Sequence, residues 1–231
     1  LHTATGGLFD PTIQPLWAMY AEHHARVEAP GRQAILSALE RVGWAGVSYS
    51  AEAISFARHG MALTFNGIAQ GYIADKIASL LRSEGLANLL IDTGELVAIG
   101  GHPSGGGWPV TLTADDANSV GKHIRLDNAA LASSAPLGTV LDSAGTISHI
   151  FNPLTGLPAE PVWKLVTIKD PSAALADALS TALCLMSRQQ ILAALGLDLS
   201  IKVPIDRRQA ARAPRANAGA DNGRERHALA R

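Results

Sequence analysis

Short strand-like runs and longer helical stretches follow one another in this chain without strict alternation. That order points to an α+β fold, with mixed sheets packed against helices, rather than to repeated βαβ units. Apolar residues at Ile13, Leu16, Trp17, Tyr20 and Val27 carry a helical period, as do Ile35, Leu36, Leu39 and Val42 before a stop at Gly43. Short strands are expected at 47–49, 53–56 and 61–65, the last halted by Asn66-Gly67. Ile73, Ile77, Leu80 and Leu81 mark a helix closed by Gly85. Apolar runs at 88–92, 94–100, 108–112, 122–133 and 165–168 read as further strands. Residues 149–156 read as a strand entering a turn. Asp170 is the expected cap of a last helix, with Pro171 at its first position, running to about Met186.

Composition narrows the function. Of 231 residues, 47% are hydrophobic and 17% charged, enough to bury a sizeable core. The net charge of −1 gives no global electrostatic case for nucleic acid. No uncharged apolar run approaches the roughly 18 residues that span a bilayer, so the chain is not expected to be integral to a membrane. Cys184 is the single cysteine, which excludes an internal disulfide, a cysteine zinc site and a CxxC redox pair. Two regions are expected. Residues 1–205 form the folded domain. Residues 206–231, with seven arginines, three acids and Leu229 as the one hydrophobic residue besides alanine, form a disordered Ala/Arg-rich tail. The start at Leu1, without a signal segment, reads as a truncated N-terminus.

The last helix is the most informative element chemically. Asp177 and Thr181 lie four apart, one turn above each other, and Ser180 adjoins that face. A carboxylate with hydroxyls suits a hard cation such as Mg²⁺. The alternative is a solvent-facing polar edge whose Ser or Thr bonds back to the chain. Thr64 to Tyr72 is a strand–turn–helix junction in which Gly67 and Gly71 admit a phosphate, or simply an ordinary turn. His149, ahead of Pro153-Leu-Thr-Gly156, is either a base or a structural histidine. No Gly-x-Ser-x-Gly elbow is present, which argues against a serine hydrolase.

Six segments in order resemble the ApbE family of FAD:protein FMN transferases. Thr5-Gly-Gly-Leu-Phe-Asp-Pro-Thr-Ile-Gln-Pro-Leu16 resembles the family's opening TGGxFDxTxxPL, and Asn66-Gly-Ile-Ala-Gln-Gly-Tyr-Ile-Ala-Asp75 its GGIAKGYxxD. Leu90-Ile-Asp-Thr-Gly-Glu95 resembles a glycine-rich strand end, and Leu131-Ala-Ser-Ser134 the A(T/S)SG motif. Ser148-His-Ile-Phe-Asn-Pro-Leu-Thr-Gly156 resembles HIIDPxTG, and Ala176-Asp-Ala-Leu-Ser-Thr-Ala-Leu183 resembles ADALSTAL. The resemblance spans roughly residues 3 to 200.

This resemblance implies an ApbE-like, T-fold-related architecture and Mg²⁺-dependent transfer of FMN from FAD. The acceptor is a Thr or Ser hydroxyl of a target flavoprotein, and AMP is released. It implies that Asp177 and Thr181, with adjoining Ser180, hold the metal by side chain and Gly67 by its carbonyl. Leu8, Phe9, Asp10, Thr64, Gln70 and Phe151 would line the flavin nucleotide. His149 and Asp177 would be catalytic, and the compartment would be the periplasm. Departures are Thr64 and Gln70, where members often carry Asp and Lys, Asn152 in place of Asp, and the Ser134-Ala135 turn. The Leu63–Tyr72 and Asp92–Glu95 patterns resemble the branch associated with nitrous-oxide reduction, whose targets are membrane-bound redox flavoproteins. A non-catalytic FAD-binding protein and an inactive family fragment are the rival readings.

Overall fold

The computed structural model describes residues 1–113 and 121–194; the expected tail at 206–231 lies outside them. Asp10 caps a short 3-10 turn, Pro11–Ile13, which leads into α1 (Gln14–Ala25). After α2 (Arg32–Leu39), β1 (Val47–Tyr49) and β2 (Ile54–Phe56) pair as an antiparallel hairpin. Helix α3 (Ala69–Ser83) precedes β3 (Leu89–Asp92) and β4 (Leu96–Ile99). A second hairpin joins β5 (Trp108–Leu112) and β6 (Lys122–Leu126). The chain then forms β7 (Ala130–Ser134), β8 (Val166–Asp170), α4 (Ala173–Leu183) and α5 (Arg188–Ala194).

The central sheet has the order β3-β4-β7-β8, with every pair antiparallel. Its strands read as continuous apolar runs because both faces are covered. Val97 and Ile99 of β4 pack with Ala74 and Ala78 of α3, while Ala98 packs with Leu126 and Trp108 of the second hairpin. Ala132, Val166 and Ile168 meet Ala176 and Leu183 of α4. Leu16, Tyr20, Ala38 and Phe151 form a separate cluster under α1 and α2. The α+β expectation holds.

Helices α3 and α4 are joined by small residues and by carboxylates. A side chain at Gly71 would meet the backbone of Ala173 and Ala174, so only glycine permits this approach. Asp75 of α3 accepts from the backbone N–H of Ala173 (2.8 Å) and Ala174 (3.0 Å) and from Ser172 Oγ (2.8 Å). It thereby satisfies donors that the first turn of α4 leaves unpaired.

Four local expectations need correction. Ser172, not Asp170, caps α4, because Asp170 is the last residue of β8 and the Ser172 hydroxyl accepts the Leu175 N–H (3.2 Å). The helix ends at Leu183, not Met186. Residues 61–65 are not a strand: Thr64 N–H donates to Pro11 O (2.8 Å), and that partner is a 3-10 turn rather than a sheet edge. The 149–152 segment likewise forms only an isolated bridge, Phe151 to Pro158.

Candidate active site

One cavity of about 420 Å³ opens where α3, α4, the end of β7 and the 149–153 segment converge. Its lining includes Leu8, Phe9, Asp10, Thr64, Gln70 and Phe151, together with Gly67, His149, Asp177 and Thr181. Segments far apart in sequence are thus brought to one wall. A cavity of this size lies within the range of small-molecule sites.

Gly67 lies against Thr181. A Cβ there would sit 3.4 Å from Thr181 Oγ1 and 3.6 Å from a Phe9 ring carbon, so glycine lets the backbone press against α4. Asp177 does not lie on a solvent edge: it is 5% exposed, and its Oδ2 accepts the Gly71 N–H at 3.0 Å. Burial raises its pKa, and the Gly71 hydrogen bond pulls the other way. Ser180, expected beside the metal, is fully buried and does not line the cavity. Its hydroxyl donates to Asp177 O (2.9 Å) and shares a hydrogen bond with Ser134 Oγ (2.7 Å). Ser134 Oγ also lies 3.3 Å from Thr181 Oγ1, so these hydroxyls orient one another.

The carboxylate of Asp10 is committed to partners in its own turn and beyond it. Oδ1 accepts from Thr12 N (2.8 Å) and Thr12 Oγ1 (2.6 Å), while Oδ2 accepts from Trp44 N (3.1 Å) and pairs with His2 Nε2 (3.4 Å). Asp10 therefore shapes the cavity wall. Asn152 holds the turn beyond His149 by accepting from Leu154 N (2.9 Å) and Thr155 N (3.3 Å). An aspartate could accept both in the same way.

His149 Nδ1 lies 2.8 Å from Thr139 O. A carbonyl only accepts, so Nδ1 carries the proton and Nε2 keeps its lone pair. Burial lowers the pKa of this histidine, with the Thr139 hydrogen bond opposing, so the ring is neutral at neutral pH. Cys184, by contrast, is inert: burial pushes its thiol up to about 12.

Sequence reasoning passed over Glu95. It lines the cavity at 6% exposure, and its Oε2 has no hydrogen-bond partner among the described residues. Burial first, and the nearby Asp177 charge second, raise its pKa to about 7, against the Ser133 N–H. A carboxylate at the start of a buried strand, straight after Thr93-Gly94, was the available signal. Among the described residues lining the cavity, Asp10, Glu95 and Asp177 are acidic and none is lysine or arginine. No group of three or more His, Cys, Asp or Glu side chains is arranged for a metal among the described residues. A cation here would draw on carbonyl and hydroxyl oxygens as well as carboxylates.

The sequence model of the ApbE family matches residues 1–203. The chain belongs to the ApbE family. It is 26% identical over 197 residues to the FAD:protein FMN transferase of Chlamydia muridarum, covering 82% of this chain and 60% of that protein. It is 28% identical over 207 residues to the FAD:protein FMN transferase of Klebsiella pneumoniae, covering 84% and 59% respectively. The fold superposes on the apo flavinyl transferase ApbE of Pseudomonas stutzeri with a TM-score of 0.71 and 29% identity, covering 84% of this chain and 61% of that one. An ApbE protein of Thermotoga maritima gives 0.72 and 28%, covering 83% and 65%. This ApbE-family chain thus spans about 60% of the length of these curated relatives.

Proposed function

We propose that this chain transfers the FMN moiety of FAD to a Thr or Ser hydroxyl of a target flavoprotein, with Mg²⁺ and with release of AMP. The observation that carries the reading is the charge of the cavity. It holds carboxylates and no lysine or arginine among its described lining residues, so a pyrophosphate enters only with cations beside it. The donor set fits a hard divalent cation. Asp177 is held by Gly71, the Thr181 hydroxyl lies beside the Gly67 backbone, and the Glu95 Oε2 is unpartnered.

In this reading the Asp177 carboxylate, the Thr181 hydroxyl and the Gly67 carbonyl hold the cation. It would neutralise charge on the pyrophosphate as the bond to AMP breaks. Leu8, Phe9, Thr64, Gln70 and Phe151 enclose the flavin nucleotide and exclude water. The acceptor oxygen forms a bond to the FMN phosphorus, the bond from that phosphorus to AMP breaks, and AMP carries away the electron pair. His149 Nε2 takes the hydroxyl proton. By the same family resemblance, the acceptor belongs to a membrane-bound redox flavoprotein and the compartment is the periplasm. No described helix is long and apolar enough to cross a membrane.

The test is incubation with FAD, Mg²⁺ and an acceptor flavoprotein. An FMN-sized mass increase on the acceptor, matched by AMP release, supports transfer. FAD binding with neither product supports a binding protein instead.

A further inference from the structure

We propose that Glu95 supplies the second negative charge of the cation site, facing the ion beside Asp177 through its unpartnered Oε2. The inference rests on the cation reading above and extends it to a residue that no motif marks as a ligand. Three observations carry it. Glu95 is 6% exposed, lines the cavity, and leaves Oε2 without a donor. Buried carboxylate oxygens are otherwise paired, so one left bare toward a cavity can take a donor or a cation. Glu95 and Asp177 line the same cavity, so a single ion there can face both carboxylates.

The third observation is that no lysine or arginine lines the cavity among the described residues. Gln70 is the polar side chain packed over the Gly94 turn, where a Cβ would lie 3.4 Å from Gln70 Nε2. An uncharged amide cannot neutralise Glu95. Asp10, the remaining acidic lining residue, is saturated by Thr12, Trp44 and His2. The spare anionic capacity of the cavity therefore falls on Asp177 and Glu95. Mg²⁺ retains several waters, and the Glu95 Oε2 can act on the ion directly or through one of them.

The test is Mn²⁺ and Mg²⁺ binding by calorimetry, with metal-induced rise in melting temperature as a second readout, on wild type, Glu95→Gln and Asp177→Asn. Glutamine keeps the shape of Glu95 and removes only the charge. Glu95→Gln is expected to melt at or above the metal-free wild type, to weaken Mn²⁺ binding by roughly tenfold or more, and to lose most of the metal-induced rise. Should Glu95→Gln instead fail to fold, Glu95→Asp tests the same charge set back by one carbon, with the same weakening expected. Unchanged Mn²⁺ affinity in these Glu95 variants, with affinity lost in Asp177→Asn, overturns the role of Glu95 and leaves the cation site standing. Unchanged metal affinity with a raised FAD dissociation constant likewise overturns it, assigning Glu95 to the nucleotide. No Mn²⁺ binding by wild type, or unchanged binding in Asp177→Asn, overturns the underlying cation reading itself.

Discussion

Asp177 Oδ2 accepts the Gly71 N–H at 3.0 Å, across the seam between α4 and α3. One helix thus holds the carboxylate proposed for the metal by a backbone donor in the first turn of its neighbour. Asp75 returns the arrangement by capping α4. The cavity inherits its geometry from this exchange, because Gly67 and Gln70 precede Gly71 on the same junction and Thr181 follows Asp177 by one turn.

Asp177→Asn keeps an acceptor for Gly71 and removes the charge. AMP release in Mg²⁺ is expected to fall roughly 10²-fold or more, with melting little changed. Asp177→Ala should lose activity equally and also destabilise by about 1–3 kcal/mol, because the Gly71 N–H is left buried and unpaired. Parallel AMP assays and thermal melts separate the two effects, and full activity in Asp177→Asn would overturn the metal assignment.

His149→Ala is expected to slow transfer by roughly 10²- to 10⁴-fold while FAD affinity holds. The base acts when unprotonated, so the wild-type rate falls as pH drops through the histidine pKa. Burial lowers that pKa, which puts the acid limb below about 6.5. Single-turnover rates against pH, for both proteins, check this. A mutant that keeps the acid limb and loses only FAD affinity would show a positioning role instead.

Asp75→Ala removes one acceptor from three donors at the start of α4. A loss of about 1–3 kcal/mol is expected, which at this size lowers the melting temperature by roughly 3–10 °C. The cation site should loosen with it. Differential scanning calorimetry reads the first effect and Mn²⁺ titration the second.

Glu95 makes stability of the metal-free protein depend on pH. Its folded pKa is about 7, against 4.5 as the ordinary value. Between those values the native state keeps a proton that the unfolded state has released, so stability falls as pH rises through that window. Glu95→Gln should remove this part of the slope. Melting temperatures of the two metal-free proteins from pH 4 to 8 are expected to diverge upward in favour of the variant; parallel curves would contradict a raised Glu95.

Local pattern was sufficient for much of the fold. The helical period at Ile73, Ile77, Leu80 and Leu81 and the apolar runs at β3, β4 and β8 depend on neighbours along the chain, and each lies where its spacing indicated. The ordered motifs likewise marked Gly67, His149, Asp177 and Thr181 as site candidates, because their residue types and spacing are properties of the sequence itself. Tertiary contacts decided the rest. Residues 61–65 have strand composition but meet a 3-10 turn, so no ladder forms. Ser180 lies on the helix face beside Asp177, yet its hydroxyl is drawn to Ser134 on β7. Glu95 is one residue past a glycine turn in sequence; only the tertiary packing that brings it to the cavity shared with Asp177 buries it with Oε2 left bare among the described residues. Hydrogen-bond satisfaction and desolvation depend on which distant segments arrive, and no short window of sequence contains that information.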